Sequence, residues 1–296
     1  SLIPMYVDST NYKNDRIKSI QASYRSSFLL SNSGKVYSFG GSYADSTISY
    51  LGRTAKRTIS RPTLLEHSNI SGKTFTKVAA AGERTFMLSD EGKVYAFGLG
   101  MNGYLGTGDS LNVHVPTLID HTNIGSKKIV EISTTSNKQS GTGAISHTLL
   151  LAEDGTLFGF GDNSTGQLGL GDFNNRMIAT EISHSNLSGK TISKIAAGAQ
   201  NSMLITTDGT VYIWGNGGNG EMGYGNTNNV NVPTEASHVT ALGKQFIAGD
   251  IGQTSTADAH FILIASDSSV YAFGENSDGQ LGLGNKTDNY TPTKIT

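Results

Sequence analysis

Two stretches of the chain have the glycine spacing of a phosphate-binding turn. VYAFGLGMNG (residues 94–103) ends in Gly98-Leu-Gly-Met-Asn-Gly103, a G-x-G-x-x-G pattern behind an apolar, strand-like run. GNGGNG (215–220) repeats the pattern, and residues 161–166 carry a degraded form. Such a turn holds a pyrophosphate when it opens a helix whose first N–H groups meet the anion. Here YLGTGDS and EMGYGNT follow, full of glycine and without a helical face. The pattern therefore predicts turns, not a nucleotide site.

Other chemistry-bearing residues fare similarly. His147 and His260 open two similar apolar runs, but no partner is fixed at a catalytic spacing, so a structural role is expected. His114, His121, His184 and His238 are scattered through loops and links. GDNSTG and ENSDG offer oxygen ligands, yet neither fits the D-x-[DN]-x-[DN]-G calcium loop, and both read as turns. Neither a Ser-His-Asp arrangement nor a carboxylate pair can be placed. The expectation is a non-enzymatic protein with no cofactor and no metal. N-x-[ST] sequons begin at Asn69, Asn163, Asn186, Asn285 and Asn289, all in expected loops or links. They incline the reading toward an extracellular or secreted setting, with a cytoplasmic one also open.

Composition narrows the classes further. A net charge of −2 gives no domain-wide basic field, which argues against nucleic-acid or anionic-membrane binding as the main activity. Without any Cys, disulfides, thiolate metal sites and cysteine nucleophiles are excluded. No apolar run approaches the ~20 residues of a membrane span. The opening Ser1-Leu-Ile-Pro4 is neither an initiator Met nor a signal peptide, and reads as the edge of a processed or trimmed chain.

What must position these residues is a repeat. KVYSFG, KVYAFG, TLFGFG, TVYIWG and SVYAFG end at Gly40, Gly98, Gly161, Gly215 and Gly274, so the copies lie 58, 63, 54 and 59 residues apart. Each unit has four short pieces rich in Val, Ile, Tyr, Phe and Thr. In the second they are FTKVAAAG, RTFMLS, KVYAFG and VPTLI. These are strand signals bounded by turn residues. The repeats cover about residues 17–66, 73–120, 127–182, 190–236 and 243–295, and 1–16 reads as the tail of a preceding repeat or a closure strand. Pro62, Pro116, Pro233 and Pro292 each open a fourth piece, marking it as an edge strand. Four antiparallel strands per unit, repeated, predict an all-β propeller of five visible blades, since each unit needs neighbours to cover its faces. An open solenoid is the alternative.

GDNSTGQLGLGD (161–172) and GENSDGQLGLGN (274–285) resemble the signature of regulator-of-chromosome-condensation (RCC1) repeats. The likeness spans all five units and is weakest in the first, where GGSYADSTISYLGR keeps only Leu51-Gly52. The resemblance implies a propeller. It also implies a choice of roles, since the founder is a seven-bladed exchange factor for a small GTPase that binds chromatin, while other members serve as protein-binding modules. The founder's exchange residues lie outside the repeat motif, and its basic tail has no counterpart.

Label the strands of a blade A to D. The A–B and C–D loops then share one rim, and the B–C turns and D–A links the other. Length variation falls on the first rim: residues 134–146 and 250–259 in A–B loops, and 43–58 in a C–D loop. Variable polar loops on a rigid scaffold predict a partner-binding surface. Its candidate residues are Arg53, Lys56, Arg57, Asn137, Lys138, Gln139, Asp250, Gln253 and Asp258. The leading expectation is a scaffold binding another protein. The alternatives are a GTPase exchange factor and a structural component of an extracellular or ciliary assembly, self-assembling through the strand at Pro4–Val7.

Overall fold

A computed structural model describes the chain except residues 1–6, 8, 13, 42–49, 55–57, 136–144, 199, 219, 225 and 254–258. Five separate four-stranded antiparallel sheets follow one another along the sequence. Blade one is β1 (Ile17–Ala22), β2 (Ser26–Ser31), β3 (Val36–Gly40) and β4 (Ile59–Leu64). Blade two is β5 (Phe75–Ala81), β6 (Arg84–Ser89), β7 (Val94–Gly98) and β8 (Val113–Leu118). Blade three is β9 (Ile129–Thr134), β10 (His147–Ala152), β11 (Leu157–Gly161) and β12 (Arg176–Glu181). Blade four is β13 (Ile192–Ala197), β14 (Asn201–Thr206), β15 (Val211–Gly215) and β16 (Val230–Glu235). Blade five is β17 (Phe246–Gln253), β18 (Ala259–Ala265), β19 (Val270–Gly274) and β20 (Asn289–Lys294). The strands run in order A-B-C-D, and the A strands of successive blades contact one another.

The core lies between blades. Side chains alternate across a strand, so each B strand serves both faces. Phe28 and Leu30 of blade one meet Val78, Met87 and Phe97 of blade two. Phe86 and Leu88 meet Ile132, Leu150 and Phe160. Leu149 and Leu151 meet Leu204, Tyr212 and Trp214. Met203 and Ile205 meet Phe246, Phe261, Leu263 and Phe273.

The prolines sit deeper in their strands than expected. Pro116 is the fourth residue of β8, not its opening. The reason lies in the ladder: Ala96 pairs with Thr117 and Gly98 with Val113, so β8 carries extra residues where Pro116 stands. The same irregularity recurs at Pro62, Pro233 and Pro292. A proline without an N–H costs nothing where the ladder is already interrupted.

A repeated clamp was not anticipated. In three D–A links an Asn reaches the next blade: Asn69 Nδ2 donates to Pro116 O (2.9 Å), Asn123 Nδ2 to Ala179 O (2.9 Å) and Asn186 Nδ2 to Pro233 O (3.3 Å). Asn11 Nδ2 does the same to Pro62 O at 2.6 Å. Each bond satisfies a carbonyl on the outer strand and fixes the angle between link and blade. Replacing Asn123 with Ala should therefore cost ~1 kcal/mol. Asn123→Asp should cost more, because two acceptors would face each other. Thermal unfolding reads the expected order, wild type above Ala above Asp; an unchanged midpoint for both would show the clamp to be idle.

Candidate functional site

The two rims differ in chemistry. On the B–C/D–A rim, a lysine ending each link pairs with an acid in the following turn. The pairs are Lys73–Glu91 (2.8 Å), Lys127–Asp154, Lys190–Asp208 (3.2 Å) and Lys244–Asp267 (2.7 Å). Hydrogen bonds from the paired lysine and from turn N–H and hydroxyl groups hold the carboxyls of Asp154 and Asp267 well below the usual range, and the Thr206 hydroxyl, with the Thr210 N–H and hydroxyl and Lys190, does the same for Asp208. Partly exposed pairs of this kind add little stability, but they repeat the same contact along the rim.

The A–B/C–D rim is built differently. The glycine ending strand C lies opposite the first residue of the B strand in blades one to four and the second in blade five: Ser26, Arg84, His147, Asn201 and His260 face Gly40, Gly98, Gly161, Gly215 and Gly274. These five positions carry four kinds of side chain on the same backbone frame, with histidine in blades three and five. Arg84 is buried with its guanidinium over the Tyr104 ring, 4.6 Å from its centre, and burial lowers its pKa to about 10. Beside it, burial pushes the Glu83 carboxyl up. His147 Nε2 lies 2.7 Å from Ser202 Oγ, which itself donates to Gln167 O at 2.7 Å. The serine is therefore the acceptor from His147, which stays neutral and joins blade three to blade four. Asn201 Nδ2 donates to Asn216 O (2.6 Å). His260 lies across Gly252, where a Cβ would collide with its ring.

The C–D loops are closed by a clamp of constant spacing. Gly100 N donates to Asn112 Oδ1 (3.1 Å), Asn163 N to Asn175 Oδ1 (2.8 Å), Gly217 N to Asn229 Oδ1 (3.1 Å) and Asn276 N to Asp288 Oδ1 (2.8 Å). The middle N–H of each glycine-rich turn is thereby used internally. Gly103 (φ +77°) lies so close to blade three that a Cβ would come 2.5 Å from Met177 Cα. The glycines serve a tight turn and close packing between blades. Asp162 Oδ1 accepts from Ser164 N (3.0 Å), Ser164 Oγ (2.6 Å) and Gln167 Nε2 (2.7 Å), which makes GDNSTG a self-saturated turn. Among the described residues, no group of three or more His, Cys, Asp or Glu side chains could hold a metal ion. No helix there is long and apolar enough to cross a membrane.

The expected partner-binding residues separate. Arg53 is half-buried, and its Nη2 donates to Thr63 O (2.6 Å) and Leu64 O (2.7 Å), bracing its own outer strand. Asp250 is exposed but sits within β17, paired with Ile262. The A–B insertion of blade five is thus shorter than 250–259, because Asp250–Gln253 extend strand A and Ala259 begins strand B. Gln253 ends that strand; Lys56, Arg57, Asn137, Lys138, Gln139 and Asp258 lie outside the described residues, as does Pro4–Val7 apart from Val7.

The sequons are corrected in part. Asn163 is buried: its Nδ2 donates to Asp172 O (2.9 Å) and Oδ1 (3.1 Å), and its Oδ1 accepts from Leu168 N (2.8 Å). A glycan has no room there. Asn289 begins β20, in a strand, and donates to Thr293 Oγ1 (2.6 Å). Asn69 and Asn186 are the exposed link residues whose amide nitrogens clamp the next blade, and Asn285 is exposed in its C–D loop.

Sequence reasoning passed over two apolar side chains on the variable rim. Leu111, in the C–D loop of blade two, is 68% exposed, and Phe173, in that of blade three, is 50% exposed. Their signal is an apolar residue inside an otherwise polar loop, DSLN and DFNN. Exposed apolar residues of this size on a polar rim are what a binding partner covers.

The buried histidines also set an acid response. Burial holds His147 at about 3, His121 at about 4 and His238 at about 4, all below the ordinary 6.5. Below pH 6.5 the unfolded chain takes up protons that the folded chain refuses. Stability is therefore complete above pH 6.5 and falls as the pH drops toward 4. For fully buried His147 the slope approaches ~1.4 kcal/mol per pH unit. His147→Gln, which can still donate to Ser202, should flatten the fall in melting temperature between pH 7 and pH 5. An unaltered slope would mean that His147 titrates normally.

Models of the regulator of chromosome condensation (RCC1) repeat match residues 91–137, 154–205, 208–256 and 267–296, more than half of the chain, and a second model of that repeat matches 192–221. The human E3 ubiquitin-protein ligase HERC2 is 30% identical over 255 residues, which cover 86% of this chain and 5% of that ligase. The ultraviolet-B receptor UVR8 of Arabidopsis thaliana is 28% identical over 226 residues, 76% of this chain and 47% of the receptor. The chain thus spans less than half of either relative. The crystal structure of human WBSCR16 superposes with a TM-score of 0.76 at 20% identity, covering 95% of this chain and 67% of that one. Yeast RCC1 (Prp20), bound to Kap60, gives 0.75 at 21% identity, covering 96% and 62%. These two likenesses speak to the fold alone. The repeat matches and the five four-stranded sheets establish that the chain belongs to the RCC1 repeat family and folds as an RCC1-like β-propeller.

Proposed function

We propose that the chain is a protein-interaction module whose partner docks on the A–B/C–D rim. The observation that carries this reading is the contrast between rims. One rim repeats the same lysine–acid pair four times. The other carries serine, arginine, histidine or asparagine at one repeated position and exposes Leu111 and Phe173. A surface selected only for stability has no reason to vary on one side alone. A surface that recognises a partner needs irregular loops on a rigid frame. Relatives lend support at a coarse level: yeast RCC1 (Prp20) is solved bound to Kap60, and its binding to Gsp1p and histones is described. Matching only 5% of HERC2, the chain inherits nothing of ligase activity from that likeness. Exchange activity has only the fold shared with Prp20 behind it.

Partner capture by the purified chain, quantified by mass spectrometry, tests the reading. The double variant Leu111→Asp/Phe173→Asp should lose captured partner at least about tenfold with an unchanged melting temperature. Lys127→Ala/Lys190→Ala, on the opposite rim, should capture it as the wild type does. Loss with the lysine variant and retention with the apolar one would place binding on the wrong rim.

A further inference from the structure

The outer end of each joint is closed by a residue of the D–A link, and one link departs from the pattern. Asn11, Asn69, Asn123 and Asn186 each donate to the carbonyl of the fourth residue of an outer strand: Pro62, Pro116, Ala179 and Pro233. In the last three links the residue after the asparagine, Ile70, Ile124 or Leu187, is buried and marks the register. The link between blades four and five buries Val239 in that place. Its clamp position is therefore His238, and the matching carbonyl is that of Pro292, the fourth residue of β20. The imidazole makes no clamp. Both of its nitrogens, Nδ1 and Nε2, are buried without a hydrogen-bond partner.

Packing alone holds the ring. It lies edge to face with Tyr224, from the C–D loop of blade four, at 5.7 Å between ring centres, and with Phe273 of β19 at 5.4 Å. Its Nε2 lies against Gly223, where a Cβ would come within 2.5 Å of it. Tyr224 is a fixed wall, since its hydroxyl donates to Ile213 O (3.0 Å) or Thr234 O (2.9 Å). The short helix α1 (Ser237–Thr240) thus inserts His238 into a slot made by both blades, and it contacts β20. The titratable side chains on the surrounding elements are Glu221 and Tyr224 of the loop, Glu235 of β16, Tyr271 of β19, and Tyr290 and Lys294 of β20. Glu235 accepts from Thr240 Oγ1 (2.9 Å). None of these charges acts on the imidazole, and burial alone holds it at about 4. A closed slot refuses the proton that an open one accepts near 6.5. The closed link is therefore fully favoured above pH 6.5 and loses ground as the pH falls toward 4.

We infer that the link between blades four and five is an acid-operated latch: on acidification His238 leaves its slot, and the outer end of this joint opens while the blades stay folded. The inner part of the joint holds, because Met203, Ile205, Phe246 and Phe261 stay packed across it. Release frees one side of the Phe273 ring and uncouples α1 from β20. The link between blades three and four has no such release, since Asn186 bonds across it. In the link between blades two and three, burial also holds His121 at about 4, but Asn123 keeps its bond to the next blade. The latch lies among the D–A links, away from the rim that the proposed partner occupies, and does not rest on that reading.

Native-state hydrogen exchange at pH 7 and pH 4.5, corrected for the intrinsic rate at each pH, reads the latch. The amides of Val239, Thr240 and Ala241, bonded within the link, are compared with those of Leu187 and Lys190 in the link between blades three and four. With the imidazole at about 4 when closed and 6.5 when open, opening of the wild-type link should rise about fiftyfold at pH 4.5 over that reference link. His238→Asn, which supplies the side chain that clamps the other links, should remove the rise. His238→Phe, which fills the slot without a titrating group, should remove it as well. Circular dichroism melting at pH 7 checks that each variant is folded. Equal protection of the wild-type link at both pH values would overturn the proposal. So would a loss shared equally by the reference link, which reports unfolding of the whole, or a rise that survives in a folded variant.

Discussion

Every blade of this protein depends on a neighbour, because a four-stranded sheet of this sequence is apolar on both faces. Phe86 and Leu88 point one way and Met87 the other, and all three are buried only because blades one and three lie on either side. Burial of such side chains is worth ~1.5–3 kcal/mol each, and none of it is available to a blade alone. The remaining features follow from that dependence. Glycine-rich C–D loops let one blade approach the next closely, and the link asparagines fix the angle at which it does so.

That frame separates fold from recognition. The joints consume the sheet faces, and the same lysine–acid pair recurs along one rim. The other rim keeps the freedom to change. Its frame is constant, with a glycine at the end of every C strand, while the residue opposite passes from serine to arginine to histidine to asparagine. The length variation of the A–B and C–D loops falls on this same rim, and in the proposed reading it is what a partner recognises.

Much of the architecture was legible in the residues. The VYAFG copies placed strand C, and the valine- and leucine-rich runs placed strand B, because period-two apolar patterns between turn residues leave little choice. The prolines marked the outer strand correctly but misplaced its start, since an irregular ladder leaves no trace in local propensity. The glycine pattern at 98–103 looked chemical until its place in the repeat was weighed, and the bond from Gly100 N to Asn112 supplies the physical reason. The link asparagines were harder. Asn69 and Asn186 sit in sequons, which drew attention to glycosylation, whereas Asn123, in the same place without a sequon, shows the shared role. The signal was there as H-x-N-[IL] in three links, at His67, His121 and His184. Arg53 was beyond reach, because only tertiary contact shows a loop arginine bracing its own strand.

The dependence of each blade on its neighbours is tested most directly by native-state hydrogen exchange, read strand by strand. Amides of β10 and β14, covered on both sides, should exchange only through global unfolding. Amides of β18 and β19, covered by blade four alone, should open at a measurably lower free energy. Equal protection across blades three, four and five would contradict the account, since it would mean that a blade holds its structure without a neighbour on each face.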